Sequence, residues 1–141
     1  MNKIGCKAMC VCSYKESILV ARGEDSQNGA IFYRPLGGSI EFGETSQNAI
    51  IREIKEEIGA DLIDVKLLGV LESLFDFEGE RGHEVVFIYD AQLVDKKLYA
   101  EKTIIGQETD GSEIVATWQK LDYFVAQGRL VPEGLLDLLT R

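Results

Sequence analysis

The chain has 141 residues, enough for one domain with its own core, and its 45% hydrophobic and 28% charged content is ordinary for a globular protein. Its 24 Asp and Glu against 15 Lys and Arg leave a formal charge of −9, which argues against non-specific binding to DNA or RNA backbones, because that needs clustered Lys and Arg. No apolar run approaches the ~20 residues that span a bilayer, and the start, Met1-Asn2-Lys3-Ile4-Gly5-Cys6, lacks the apolar centre of a signal peptide, so a cytoplasmic protein with no membrane partner is expected.

Residues 4–13 read as a strand, with a hairpin partner at 17–22 across Tyr14-Lys15-Glu16. The three cysteines, Cys6, Cys10 and Cys12, are odd in number and close together, which is no disulfide framework. Zinc lacks partners too, since His83 is the sole histidine. Cys6, Ala8, Cys10 and Cys12 share one strand face and read as small core residues. A single His also removes most Ser–His and Cys–His nucleophile schemes. Residues 23–30 form a polar loop, and 31–34 and 39–42 read as short strands around a Gly37-Gly38 turn.

A helix over 46–58 follows. Residues 62–75 read as one long or bent strand, and 78–82 as a turn. The strand 84–94 carries apolar residues on both faces, as a central strand covered on each side does. Residues 95–111 are polar and irregular. A strand at 113–120 carries Trp118, Gly128 stops a short helix at 122–127, and a leucine-rich helix over 132–139 ends the chain. Strands first, one embedded helix and terminal helices give a single α+β domain over 1–141, a mixed sheet with helices on both faces.

The stretch from Gly38 to Gly59 is the most informative. Thr45 or Ser46 can cap the helix start with a side-chain oxygen, and Gly59 suits the left-handed residue that closes its end. At ~100° per residue Ile50, Ile51, Ile54 and Ile58 form one apolar stripe. Glu53, Glu56 and Glu57 lie beside it within one turn. Carboxylates that close repel, and one stays protonated near neutral pH unless a cation sits among them. Oxygen-only ligands suit Mg²⁺ or Mn²⁺. A lone Glu-x-x-Glu-Glu is more often a solvated helix face, with Arg52 and Glu56 an ordinary i,i+4 pair.

The surroundings change that balance, because the segment resembles the Nudix box residue by residue. The pattern is Gly, five residues, Glu, seven residues, Arg-Glu, an aliphatic, any residue, Glu-Glu, any residue, Gly. Those places hold Gly38, Glu44, Arg52, Glu53, Ile54, Glu56, Glu57 and Gly59. At ~7% usage each, seven fixed identities coincide by chance on the order of once in 10⁸ starts. Two departures are mild: Ala60 stands where an aliphatic usually follows the last Gly, and Leu36 separates Pro35 from Gly37-Gly38.

The resemblance implies a Nudix hydrolase: an α/β/α sandwich that cleaves, with a divalent metal, the pyrophosphate of a nucleoside diphosphate linked to another moiety. It implies Glu56 and Glu57 as metal ligands, Glu53 as ligand or base, the Gly38 carbonyl as a further ligand, and Arg52 holding Glu53 or Glu44. The family often recruits one more acid from a loop before the late Trp-bearing strand. Glu108, Asp110 and Glu113 are the choices here, with Glu113 preferred. Arg34 and Phe75 are assigned to substrate binding; Phe75, Phe77 and Trp118 offer faces on which a base could stack.

The small-molecule substrate is left open among nucleotides. The Pro of ADP-ribose types falls at Phe75, the Tyr of dinucleoside-polyphosphate types has no match at Asp76 or Phe77, and the NADH-type run is absent. Nucleoside triphosphates therefore lead, with nucleotide sugars and ADP-ribose behind, and a homodimer stays open. Two rivals belong to other classes. A Nudix-fold nucleotide sensor would show damage among the box glutamates, which are all present. An interaction protein with an acidic helix gives no reason for Gly38 and Gly59 at those places.

Overall fold

Burial on both sides identifies the middle of the molecule. In the computed structural model, which describes residues 2–141, Val86 and Ile88 are buried on one face of a strand and Tyr89, Ala91 and Leu93 on the other. That strand is β6 (Glu80–Leu93). It lies in a mixed sheet with β1 (Gly5–Cys10), β2 (Ser13–Tyr14), β3 (Ser17–Glu24), β4 (Ile31–Ser39), β5 (Leu62–Phe77), β7 (Thr103–Gln107) and β8 (Glu113–Lys120). The order is β5-β6-β1-β4-β3-β8-β7, with β2 paired to β3. Only β1 and β6 run parallel among these pairs.

Helix α1 (Ser46–Ile58) covers one face, and α2 (Leu121–Ala126) and α3 (Leu135–Thr140) cover the other. Ile50 and Ile54 of α1 are fully buried with Ala8, Cys10, Leu36, Ile104 and Ala116. Burying each such side chain contributes ~1.5–3 kcal/mol. Ile51 falls outside the stripe and is exposed. The second core joins Val11, Ile18, Val20, Val86 and Ile88 to Phe124 and Leu135. This is the α/β/α sandwich expected from the sequence. Among the described residues no helix is long and apolar enough to cross a membrane.

Three further expectations need correction. Residues 31–39 form one strand, and the two glycines mark close approach within the sheet instead of a turn. A Cβ on Gly37 would lie 2.0 Å from the Ala8 carbonyl oxygen, and Gly38 pairs with Ala8. The polar segment 95–111 contains a 3₁₀ turn at Lys96–Ala100 and the strand β7. Ile104 packs into the core there, and Gly106 admits the Glu57 carbonyl, which a Cβ would meet at 2.1 Å. Cys6 is exposed, whereas Cys10 and Cys12 are buried as expected.

β4 changes partners along its length. Its C-terminal half pairs with β1 through Leu36–Ser39, and its N-terminal half pairs with β3 through Ile31–Pro35. Beyond the end of β1, Tyr33 donates its N–H to the Arg129 carbonyl at 2.9 Å and accepts from the Val131 N–H at 2.9 Å. A cavity opens beside this change of partner.

Candidate active site

Helix α1 begins and ends as its sequence dictates. Thr45 accepts the Asn48 N–H at 3.1 Å, and Gly59 adopts φ 68° while donating to the Lys55 carbonyl at 2.9 Å. This fixes the phase of the helix, and so the directions of its acids. Arg52 lies at the centre of one group. Its Nε and Nη2 donate to the two oxygens of Glu44 at 2.8 and 2.9 Å, a forked pair. Nη1 donates to Glu53 at 2.9 Å and to Glu56 at 3.2 Å, and Nη2 also reaches the Ser39 carbonyl at 3.1 Å. The Arg52 bonds, with the Glu41 N–H, hold the Glu44 carboxyl down at about 2; the same bonds raise Arg52. Glu53 is 7% exposed and lies so near the strand that a Cβ on Gly38 would sit 2.5 Å from its carboxyl carbon. Glu56 has a half-exposed side chain.

Glu57 is in the opposite condition. It is 4% exposed, and neither carboxyl oxygen has a hydrogen-bond partner among the described residues. Burial, and next the Glu108 carboxylate, push it up to about 8, against the pull of Arg34. Glu108 opens the turn between β7 and β8, where its N–H donates to the Ser112 carbonyl at 2.8 Å. It accepts from Arg34 Nη2 at 2.7 Å. The loop acid brought to the helix is therefore Glu108. Glu113 sits at the exposed start of β8, with the parity of exposed Val115 and not of buried Ile114 and Ala116. Asp110 is occupied with its own turn through Ser112, at 2.9 Å from its N–H and 2.6 Å from its hydroxyl.

Arg34 also lines a cavity of about 400 Å³, which suits a small-molecule site. Phe32, Phe75 and Phe77 give it aromatic walls, with Phe32 edge-on to Phe77 at 5.8 Å between centroids. Arg34 and Phe75 thus share one hollow. Trp118 stands apart with Tyr14 and Tyr99, its indole N–H bound to the Leu98 carbonyl at 3.1 Å. The cavity's outer wall includes the 23–30 loop, tied down by a clasp to Glu78 that sequence reasoning missed. Asp25 accepts the N–H groups of Gln27 at 2.9 Å and Glu78 at 3.2 Å, and Ser26 donates to the Glu78 carboxylate through both its N–H and its hydroxyl. The polarity of Asp25-Ser26-Gln27 marks a loop but does not name its partner.

A family model of the NUDIX domain matches residues 6–136. The chain belongs to the Nudix hydrolase family. An RNA pyrophosphohydrolase of Campylobacter jejuni subsp. doylei is 36% identical over 76 residues, 54% of this chain and 46% of that protein. The chain thus matches about half the length of this curated relative. Among solved structures, a MutT NUDIX hydrolase from Burkholderia pseudomallei superimposes with TM-score 0.69, 21% identity and 98% of both chains covered. A NUDIX hydrolase from Nitrosomonas europaea gives 0.67 at 20% identity, covering 97% of this chain and 86% of its own. At such identities these likenesses speak for the fold.

The donor set of this Nudix chain fits a hard cation. Glu57 offers two buried oxygens without partners, and a like charge at Glu108 faces it. The bare Cα of Gly38 leaves room beside Glu53 that any Cβ would fill. Among the described residues no three acidic, His or Cys side chains converge on one point as they stand. Arg52 holds Glu53 and Glu56 towards itself. The contact with Glu56 is the looser, and that side chain is 51% exposed.

Proposed function

We propose that this Nudix hydrolase cleaves the pyrophosphate bond of a nucleotide, with nucleoside triphosphates as the leading substrates and Mg²⁺ or Mn²⁺ as cofactor. The observation that carries the reading is Glu57, a buried carboxyl with both oxygens unpartnered, joined through Glu108 and Arg34 to a nucleoside-sized cavity. Glu56, Glu57 and the Gly38 carbonyl would hold the metal, with Glu108 as the assisting loop acid in place of Glu113. Bound there, a divalent ion screens the phosphates and lowers the pKa of water.

The chain's own groups do the rest. Arg52 fixes Glu44 and Glu53 by its forked donors, so Glu53 is presented in one orientation. Glu53 Oε2, the oxygen Arg52 does not hold, takes the proton of the attacking water. A new O–P bond forms, the bridging P–O bond breaks, and the bridging oxygen leaves with the second phosphoryl group. Arg34 lies between cavity and acids, where it can guide the phosphate chain. The Phe walls favour an aromatic base over an extended sugar acid.

The test is a panel of nucleoside triphosphates, ADP-ribose, nucleotide sugars, dinucleoside polyphosphates and 5′-triphosphate RNA, each with Mg²⁺ and Mn²⁺. A nucleoside monophosphate plus the remaining phosphorylated group is the expected product pair. Orthophosphate alone from a triphosphate overturns the reading, and so does a clear preference for ADP-ribose. The RNA arm addresses the activity named for the Campylobacter relative; the charge of −9 argues that it ranks below free nucleotides.

A further inference from the structure

The cavity that the proposed function treats as the nucleoside site is lined by polar as well as aromatic side chains. Four acids line it: Asp25, Asp76, Glu84 and Glu133. Asp25 is committed to two backbone N–H groups, Asp76 faces Arg81 at 3.4 Å, and Glu133 faces Arg129 at 3.6 Å. Glu84 is the least engaged, with only Lys7 as charged partner among the described residues, and that at 3.9 Å. Its cross-strand neighbour is Ser73, a buried residue that lines the same hollow. A carboxylate and a hydroxyl therefore stand on neighbouring strands of a surface that Phe75 and Phe77 also line.

A carboxylate has two acceptor oxygens and no donor, so it pairs best with an edge that offers two adjacent N–H groups. Guanine has that edge, N1–H beside the 2-amino group. Adenine and cytosine each set one amino group beside a bare ring nitrogen, and uracil sets one N–H between two carbonyls. We infer that Glu84, seconded by Ser73, is a specificity-determining residue that selects guanine nucleotides. The phenylalanines stack the base without discriminating. Arg34 lines the cavity on the side of Glu108 and Glu57, and its charge draws the phosphates that way.

This inference rests on the cavity being the nucleotide site, and two readouts keep the two apart. Calorimetry with GDP, ADP, CDP and UDP, with and without Mg²⁺, is run on the full chain and on Glu84→Gln. The wild-type chain should bind GDP most tightly. Glu84→Gln, which replaces one acceptor by a donor, should weaken GDP by roughly 10-fold or more and the pyrimidine nucleotides by less than about 3-fold. Ser73→Ala should weaken GDP selectively and by less, and it serves if the first variant does not hold its melting temperature. No guanine preference, or an equal loss for all four nucleotides, overturns the inference even where hydrolysis is intact. Guanine-selective binding without metal-dependent hydrolysis sinks the proposed reaction and leaves Glu84 as the reader. Failure of every nucleotide to bind ends both.

Discussion

The two ends of one acidic helix face are built on opposite plans. At one, Glu44, Glu53 and Glu56 all find Arg52, which satisfies them without any added ion. At the other, Glu57 faces the Glu108 carboxyl and meets no donor group among the described residues. The first group is a finished structure that stores orientation. The second is an unfinished one that stores demand for a positive charge. Sequence puts Glu53 and Glu57 on the same stripe, yet the physics of the two positions differs in kind. What separates them is which strand lies opposite: the end of β4 with its Ser39 carbonyl at one place, the β7–β8 turn with Glu108 at the other.

Breaking the unfinished end should cost the most. Glu57→Gln keeps the size of the side chain and removes the charge that a cation needs, so kcat should fall ~10²-fold or more with the melting temperature held. Steady-state kinetics on the best substrate of the panel checks it, and parent-like turnover would separate Glu57 from the chemistry.

The finished end should yield next. Arg52→Lys replaces a forked donor by a point charge that cannot serve Glu44 and Glu53 together, so activity should drop on the order of 10-fold to 10²-fold. Gly38→Ala attacks the same group from the strand, since its Cβ would lie 2.5 Å from the Glu53 carboxyl carbon. Both variants should lose kcat more than KM. An Arg52→Lys protein with unchanged kcat would show that the orientation of Glu53 is not what the fork secures.

A smaller contrast concerns the loop acids. Glu108→Gln should lower kcat/KM by about 10-fold through the loss of one charge beside Glu57, while Glu113→Gln should change it less than about 2-fold. The reverse ranking would mean that the β7–β8 turn rearranges when substrate binds.

How far the sequence reaches follows the same division. The limits of α1, a cap at Thr45 or Ser46 and its Gly59 stop are all local, set by residues within about one helix length. They were legible. The preference for Glu113 over Glu108 failed to foresee which acid reaches the helix, because that depends on strand parity and on a five-residue turn closed by Glu108, Asp110 and Ser112. Gly37 and Gly38 were read as a turn because glycine at a turn and glycine under close backbone approach look alike in one dimension. Strand β7 was hidden for a related reason: Thr103-Ile104-Ile105-Gly106-Gln107 carries two apolar side chains, and its glycine serves α1 and not a loop. The Asp25–Glu78 clasp joins two hairpin turns far apart in the chain, a contact that no pattern within either turn encodes.

The smallest effect reads both ends at once, in metal-free protein. Glu44 lies near 2 in the folded chain and near 4.5 when unfolded, so the folded state is favoured above about 4.5 and loses that contribution as pH falls towards 2. Glu57 runs the other way. Its folded value of about 8 exceeds the unfolded 4.5, so between those limits the folded chain keeps a proton that the unfolded chain has released. Stability therefore falls as pH rises from about 5 to 8, and the melting temperature in chelator should drop by roughly 5 °C across that window. The charge of −9 adds a general repulsion with the same sign, so the difference between the parent and Glu57→Gln, not the raw curve, isolates the effect. The Gln variant should be the flatter of the two. Millimolar Mg²⁺ should flatten the parent as well, since a bound cation offsets the charge that the proton otherwise removes. Parallel curves for parent and variant in chelator would mean that Glu57 ionises freely, and the contrast between the two ends of the helix would then be one of hydrogen bonding alone.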